Sequence, residues 1–212
     1  MKVIAHRCGT DKHPGLSVQA ALHSLALGAR YAEMDVRYTR DLRPVICHDR
    51  DASALYPGAH SLEEMLSGVP SIVLHIKEGG DKMPLLLDLI KTYKCEDKIV
   101  LGVAAAEDAA RVKRFNPAIP VLAFMPSLES AAEFVAQGAD ILRLWENWAT
   151  EDAIRQTRAL GKEIWIMARG LRGVGYTSKK NLLLWRRLGV GGVLVNDVEK
   201  TISILQKETV LK

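Results

Sequence analysis

Residues 3–38 read VIAHRCGTDKHPGLSVQAALHSLALGARYAEMDVRY, which is two apolar runs separated by an amphipathic stretch. The runs at 3–8 and 31–38 are short and largely apolar, so they predict strands that are buried on both faces. Between them, residues 17–27 carry apolar side chains at helical spacing, with a serine as N-cap and Gly28 as a stop signal. A strand, a helix and another strand in this order predict a βα unit of a parallel sheet.

The same alternation continues along the rest of the chain. Further strands are predicted at 71–77, 99–104, 120–125, 140–145, 163–168 and 192–196. Further helices are predicted at 61–65, 83–93, 106–115, 127–136, 151–160, 178–188 and 198–206. Eight such units predict an α/β protein with a single (β/α)8 TIM barrel, in one domain over residues 1–212. A doubly wound sheet is the second choice, because no Gly-x-Gly-x-x-Gly motif follows the first strand.

Composition narrows the class of protein. The chain has 212 residues, 48% hydrophobic and 25% charged, as is typical of a globular domain. No apolar run approaches the length of a membrane span, and the first residues are too polar for a signal peptide. Three cysteines make a disulfide framework improbable. These features predict a cytoplasmic protein without membrane insertion, and they leave its oligomeric state open.

The charge distribution argues against nucleic acid as a partner. The formal net charge is +4, and aromatic residues make up 6% of the chain. A nucleic-acid surface would need a basic tail or basic residues interleaved with aromatic ones, and the sequence has neither. We expect a small anionic molecule to be bound by a few placed cations instead.

Polar side chains occur where the first three predicted strands end. Because residues i and i+2 of a strand point to the same side, Glu33 and Asp35 present two carboxylates to one spot. Two converging carboxylates repel each other, and a divalent cation such as Mg²⁺, Ca²⁺ or Mn²⁺ relieves the repulsion. His75 and Lys77 share a side of the third strand in the same way.

Two histidines are candidates for proton transfer. His6 ends the first strand, and His48 follows the short extended segment 44–47, which is predicted to be a hairpin extension of the second strand. This arm could carry His48 over the barrel mouth towards His6, where the two imidazoles would act as general base and general acid on a phosphodiester. Arg7 and Lys77 would then hold the phosphate oxygens.

Several motifs, in this order and spacing, resemble the glycerophosphodiester phosphodiesterase family. The resemblance covers most of the chain and is concentrated in the first 77 residues. It depends on Ile4-Ala5-His6-Arg7, Glu33-Met34-Asp35-Val36, Thr39-Arg40-Asp41, Pro44-Val45-Ile46-Cys47-His48-Asp49 and Ser61-Leu62-Glu63-Glu64.

The resemblance implies a metal-dependent phosphodiesterase on a (β/α)8 barrel. His6 and His48 stand in the places of the catalytic pair, and Glu33 and Asp35 in those of metal ligands for Mg²⁺ or Ca²⁺. The implied reaction splits a small phosphodiester into a phosphomonoester and an alcohol, with a cyclic phosphate as a candidate intermediate. Trp165 occupies the place of a family tryptophan at the end of the seventh strand.

The chain also departs from the family pattern. The third carboxylate ligand is replaced by His75, which as a neutral and softer ligand favours Mn²⁺ or Zn²⁺. In place of the family's Pro-Glu-Asn-Thr motif, this chain has Pro14-Gly15-Leu16-Ser17. The family also carries an insertion that shapes the glycerol pocket, and only residues 49–60 remain at that place in this chain. A more open mouth fits another polyol or a sugar phosphodiester, of which the agrocinopine type is one example. Arg143 and Trp165 are candidates for contacts with such a substrate.

Two other functions stay open at this level. A catalytically silent barrel that binds phosphorylated ligands would account for the loss of the third carboxylate. A phosphate-binding isomerase or aldolase would use the glycine-rich segment 170–175 after the seventh strand, together with a base or lysine at a strand end. We assign no role to His13, His23 or His60, and we expect Cys8 and Cys47 to pack as small buried side chains.

Overall fold

Eight parallel strands closed into a barrel form the centre of the molecule. The computed structural model describes residues 1–10, 12–49 and 61–207. Their strands are β1 Lys2–Ala5, β2 Tyr31–Tyr38, β3 Pro44–Ile46, β4 Ile72–Ile76, β5 Ile99–Val103, β6 Val121–Ala123, β7 Ile141–Trp145, β8 Glu163–Met167, β9 Arg169–Gly170, β10 Gly173–Val174 and β11 Gly192–Val195. Their helices are α1 Val18–Ala26, α2 Leu62–Gly68, α3 Met83–Thr92, α4 Ala106–Phe115, α5 Ala131–Ala136, α6 Glu151–Arg158, α7 Lys179–Arg187 and α8 Val198–Lys207.

Strand pairing confirms the predicted barrel. The parallel order runs β1, β11, β8, β7, β6, β5, β4, β2, and β1 also pairs with β2, so the sheet closes on itself. A doubly wound sheet would have two edge strands instead. The predicted hairpin arm is present as β3, which pairs antiparallel with the end of β2.

Side-chain caps mark the start of four helices, α1, α2, α6 and α7. The Ser17 hydroxyl accepts a hydrogen bond from the Ala20 amide at the start of α1. Ser61 and Glu64 form a full capping box at the start of α2. The prediction that the fifth helix starts at Ser127 is wrong, because α5 begins at Ala131 and the Ser127 carbonyl accepts a hydrogen bond from the Ser130 hydroxyl in the preceding turn.

The apolar core has two layers. A large cluster fills the space between the strands and the surrounding helices, and it includes Met34 of β2 and Leu74 of β4. A smaller cluster fills the barrel interior, with Ile4, Val73 and Leu194 among its members. Because neighbouring residues on a strand point to opposite sides, this division leaves the interior side of β2 for Glu33 and Asp35. No helix in the described part of the chain is long and apolar enough to cross a membrane.

We predict that Gly102→Ala destabilises the barrel. A Cβ at Gly102 would lie 2.5 Å from Cε2 of Phe124, whose ring is stacked on His75 and has little room to move. We expect a loss of about 1–3 kcal/mol in the free energy of unfolding, measured by urea denaturation. Gly68→Ala is the matched control, because its Cβ would meet only a Val18 methyl at 3.5 Å. Equal stability of the two variants would contradict the proposed close packing.

Candidate active site at the carboxyl end of the barrel

A strained turn at the end of β1 aims a backbone amide at the site. The predicted strand 3–8 ends at Ala5, because Arg7 and Cys8 adopt positive φ angles of 50° and 67°. Such angles are costly for residues other than glycine and are concentrated at functional sites. Here the turn lets the Arg7 amide donate to Glu33 Oε2 at 2.9 Å.

Two carboxylates lie side by side on the inner face of β2. Glu33 and Asp35 are each 1% exposed, and Met34 between them packs into the outer core. The register of β2 with β4 places His75 directly beside Asp35. The predicted convergence of these side chains is therefore present, and it occurs almost out of contact with water.

Positive and polar groups surround Asp35. Lys77 Nζ lies 2.8 Å and His75 Nδ1 3.0 Å from its Oδ1, while Arg7 Nε lies 3.7 Å from its Oδ2. Burial alone would raise the pKa of Asp35, but the hydrogen bonds and charges of His75 and Lys77 hold it well below its usual range. Asp35 therefore carries its negative charge in the folded protein.

Glu33 is in the opposite electrostatic situation. Burial and the neighbouring charge of Asp35 raise the pKa of Glu33 well above its usual range, and the Arg7 amide and the positive charges of Lys77 and Arg7 only partly oppose this. The pair is thus poised to gain a cation, since a positive ion between the carboxylates would favour the ionised form of both.

The third member of this cluster is His75. Its ring stacks on Phe124 with centroids 3.6 Å apart and planes at 7°. Burial lowers the pKa of His75 to about 4, so its imidazole is neutral near pH 7 and can act as a ligand. One potential ligand atom from each of Glu33, Asp35 and His75 lies within 4.8 Å of the others.

The donor set fits a divalent metal ion. Two buried carboxylates and a neutral imidazole are ligands that Mn²⁺ and Zn²⁺ accept, and the carboxylates suit Mg²⁺ or Ca²⁺. Asp35 Oδ2 is also buried without a hydrogen-bond partner among the described residues. Buried acceptors of this kind are rare and costly, and a bound cation would satisfy this one.

His6 lies beside the cluster with a defined orientation. Its Nδ1 is 2.7 Å from Oδ1 of Asn196, which immediately follows β11. Since an amide oxygen only accepts, Nδ1 carries the proton and Nε2 keeps its lone pair. Burial lowers the pKa of His6 to about 4 against the opposing effect of this hydrogen bond, so the ring is a neutral base at neutral pH. Sequence reasoning missed Asn196, although its place at the end of the last strand was a usable signal.

The arm β3 brings His48 to the edge of the site. The Cys47 amide donates to the Asp35 carbonyl at 3.0 Å, and Arg37 Nε donates to the His48 carbonyl at 2.9 Å. The His48 ring is 2.9 Å from Asp49 Oδ1 and is partly exposed. The backbone of His48 is therefore fixed beside the carboxylate strand, while its ring lies against Asp49, the last described residue before residue 61.

Arg143 enters the barrel from β7, across from β2. It is 4% exposed, and its guanidinium carbon lies 4.2 Å from the ring centroid of Trp145 and 5.0 Å from that of Phe124. Burial lowers the pKa of Arg143 to about 10 against the attraction of Glu33. Its Nε and Nη1 are buried without hydrogen-bond partners within the described residues.

The structure does not bring Trp165 to this group. Its side chain is fully buried in mid-strand, its Nε1 donates to Glu163 at 2.7 Å, and its ring lies against Tyr31. Both partners are at the amino-terminal starts of their strands, which is the end of the barrel away from the mouth. The ring fits there because Gly192 has no side chain, since a Cβ would meet it at 2.8 Å. This position corrects the expected contact between Trp165 and substrate.

His13, His23 and Cys8 are not part of the carboxylate cluster. His13 and His23 contact each other edge to face, with centroids 5.4 Å apart, and His60 lies outside the described residues. Cys8 is buried with a raised pKa caused by desolvation, which agrees with a packing role. Residues 50–60, which hold most of the shortened family insertion, are outside the described part as well.

Comparison of the sequence with models of known protein families shows to which family the chain belongs. The model of the glycerophosphoryl diester phosphodiesterase family matches residues 6–164. The chain belongs to this family. As a member of the glycerophosphoryl diester phosphodiesterases it is a phosphoric diester hydrolase, and not the silent barrel, isomerase or aldolase that the sequence left open. The matched range includes His6, Glu33, Asp35, His48 and His75.

Solved structures share the fold of this phosphodiesterase at low identity. A glycerophosphodiester phosphodiesterase from Parabacteroides distasonis is 19% identical with a TM-score of 0.81, and the alignment covers 98% of each chain. An Oleispira antarctica phosphodiesterase, solved with the product sn-glycerol-3-phosphate, is 15% identical with a TM-score of 0.82 over 97% of each chain. One from Thermotoga maritima is 17% identical with a TM-score of 0.73, covering 95% of this chain and 97% of that one. No curated protein matches the sequence.

We predict that Mn²⁺ stabilises the phosphodiesterase through the carboxylate cluster. A ligand at 100 times its dissociation constant stabilises the folded state by about 2.7 kcal/mol, which a thermal melt detects readily. Asp35→Asn should abolish this shift, and isothermal titration should show the same loss of binding. Glu151→Gln on the exposed side of α6 is the matched control and should keep both signals. An unchanged shift in Asp35→Asn would contradict the assigned ligands.

Proposed function

We propose that the protein is a metal-dependent phosphodiesterase that hydrolyses a small glycerol- or sugar-containing phosphodiester to a phosphomonoester and an alcohol. The observation that carries the proposal is the buried cluster of Glu33, Asp35 and His75 beside the neutral His6. We infer further that residues 1–212 act as one catalytic domain in the cytoplasm, on a small molecule rather than on nucleic acid.

The cofactor would be held by Glu33, Asp35 and His75. When bound, a divalent ion supplies positive charge that polarises the phosphate and offsets the charge developing on its oxygens. Family membership favours Mg²⁺ or Ca²⁺, while the imidazole of His75 favours Mn²⁺ or Zn²⁺.

Arg7 and Lys77 are placed to bind the phosphate. Both cations contact Asp35 from the open side of the cluster, and their side chains are 36% and 20% exposed, so part of each faces solvent at the mouth. A phosphodiester that enters there exchanges water for charge-assisted hydrogen bonds with these two groups. The strained Arg7 backbone holds this cation and Glu33 in a fixed relation.

His6 and His48 would transfer the protons. Nε2 of His6 accepts the proton of a substrate hydroxyl next to the phosphate as that oxygen attacks phosphorus, and the bond to the leaving alcohol breaks. His48 protonates the leaving oxygen, which gives a free alcohol and a cyclic phosphate. Water then opens the cyclic phosphate to the phosphomonoester with the two roles reversed.

Family membership and the shortened segment 49–60 both bear on the choice of substrate. The relative from Oleispira antarctica was solved with sn-glycerol-3-phosphate as its product, which supports a glycerophosphodiester. The brevity of segment 49–60 supports a sugar phosphodiester of the agrocinopine type as the second choice, because less chain is available to enclose glycerol.

We predict that His6→Ala and His48→Ala each lower kcat for glycerophosphodiesters by about 10²–10⁴-fold. The assay is release of the phosphomonoester with Mg²⁺, Ca²⁺, Mn²⁺ or Zn²⁺ added in turn. His23→Ala is the matched control, because His23 on α1 contacts His13 and not the cluster. Full activity of either of the first two variants would overturn the proposed acid–base pair.

We predict that Asn196→Asp shifts the pH profile. Burial holds the pKa of His6 at about 4 in the wild type, so kcat/KM should fall only as the pH approaches that value. A carboxylate at position 196 favours the protonated imidazole and should raise the pKa of His6, which moves the acid limb to higher pH by about 1–3 units. Asn147→Asp adds the same charge at an exposed position near the mouth and is the control. Coincident profiles of the two variants would contradict His6 as the base.

A further inference from the structure

Arg143 is a buried cation whose polar edge lacks an anion. Its side chain is almost fully enclosed, and Nε and Nη1 have no hydrogen-bond partner in the described residues. Glu33 attracts it electrostatically but makes no ion pair with it at contact distance within that part of the chain. A buried guanidinium is normally paired, because desolvating an uncompensated charge is costly. An acceptor on a ligand would remove this cost.

Aromatic rings fix the orientation of this guanidinium. Trp145 and Phe124 both lie against it, so ring faces hold the charged group, and its buried Nε and Nη1 stay without a hydrogen-bond partner among the described residues. Arg169 lies over the same Trp145 ring at 5.3 Å, and Glu146 fixes its backbone by accepting from the Arg169 amide. The exposed side chain of Arg169 thus adds a second positive charge at the rim of the mouth.

The basic side chains at the mouth outnumber the carboxylates that pair with them. Asp35 is contacted by both Lys77 and Arg7, and Glu33 accepts from the Arg7 amide and forms no ion pair with Arg143 within the described residues. Arg143 is therefore left without a carboxylate partner inside the barrel, while at the rim the Glu146 carboxylate lies beside the backbone of the exposed Arg169. A phosphodiester brings one negative charge, and the proposed phosphate site at Arg7 and Lys77 takes it.

We propose that Arg143, Trp145 and Arg169 form a second anion subsite, which binds a carboxylate or phosphate group that the substrate carries in addition to its scissile phosphodiester. The inference rests on the proposed function, because the phosphodiester must lie at the carboxylate cluster. Phe124 links the two places, since its ring contacts both His75 and Arg143. A short alcohol arm of the diester can therefore extend from one to the other. The planar fork of Arg143 suits the two oxygens of an oxyanion.

Two diesters that differ by one carboxylate test the subsite. Glycerophosphoserine and glycerophosphoethanolamine have the same phosphodiester and the same ammonium group. We expect the wild type to prefer the serine diester by about tenfold or more in kcat/KM, as one charge-assisted hydrogen bond supplies. Arg143→Met should reduce this preference to about twofold or less. Arg187→Met, which removes an exposed arginine at the last turn of α7, should keep it.

Binding of the corresponding phosphomonoesters separates the subsite from catalysis. Isothermal titration should show O-phosphoserine binding about tenfold more tightly than phosphoethanolamine to the wild type, and about equally to Arg143→Met. Near-ultraviolet circular dichroism and a thermal melt of Arg143→Met check that it folds, as we expect when an unpaired buried charge becomes apolar. If neither diester is hydrolysed while the binding preference holds, the proposed function fails and the subsite stands. Equal binding of both monoesters to the wild type overturns the subsite.

Discussion

The structure depends on the repulsion between two carboxylates that β2 buries on the same side. Glu33 and Asp35 cannot both ionise in a dry interior without compensation, and two neighbouring elements supply part of it. The turn after β1 offers the Arg7 amide and guanidinium, β4 offers His75 and Lys77, and a cation would provide the remainder. Much of the architecture of the mouth follows from this requirement.

The fold was largely predictable because eight apolar runs and eight amphipathic stretches alternate along the chain. The convergence of Glu33, Asp35 and His75 was predictable too, since strand periodicity and the order of parallel strands dictate it. The positive φ angles at Arg7 and Cys8 were not, because no glycine marks these positions and tertiary contacts with Glu33 impose the turn.

The sequence also did not reveal whether a side chain inside the barrel lies near its amino-terminal end or at the mouth. Trp165 matched a family position in sequence, yet its ring points towards the amino-terminal end because Gly192 leaves space there. Arg143 and Phe124 depend on the same kind of packing, since Gly102 makes room for the ring that contacts both His75 and Arg143. Small residues on neighbouring strands therefore decide which large side chains reach the mouth, and a linear pattern does not reveal them.

The most direct test of the account is anomalous diffraction from crystals soaked in Mn²⁺. The account predicts one strong peak within bonding distance of carboxylate oxygens of Glu33 and Asp35 and of a ring nitrogen of His75. Such a peak would show that the buried negative charge exists to hold an ion. A peak elsewhere, or none at a saturating concentration while Lys77 stays on Asp35, would contradict the account, because the carboxylates would then be compensated by the protein alone.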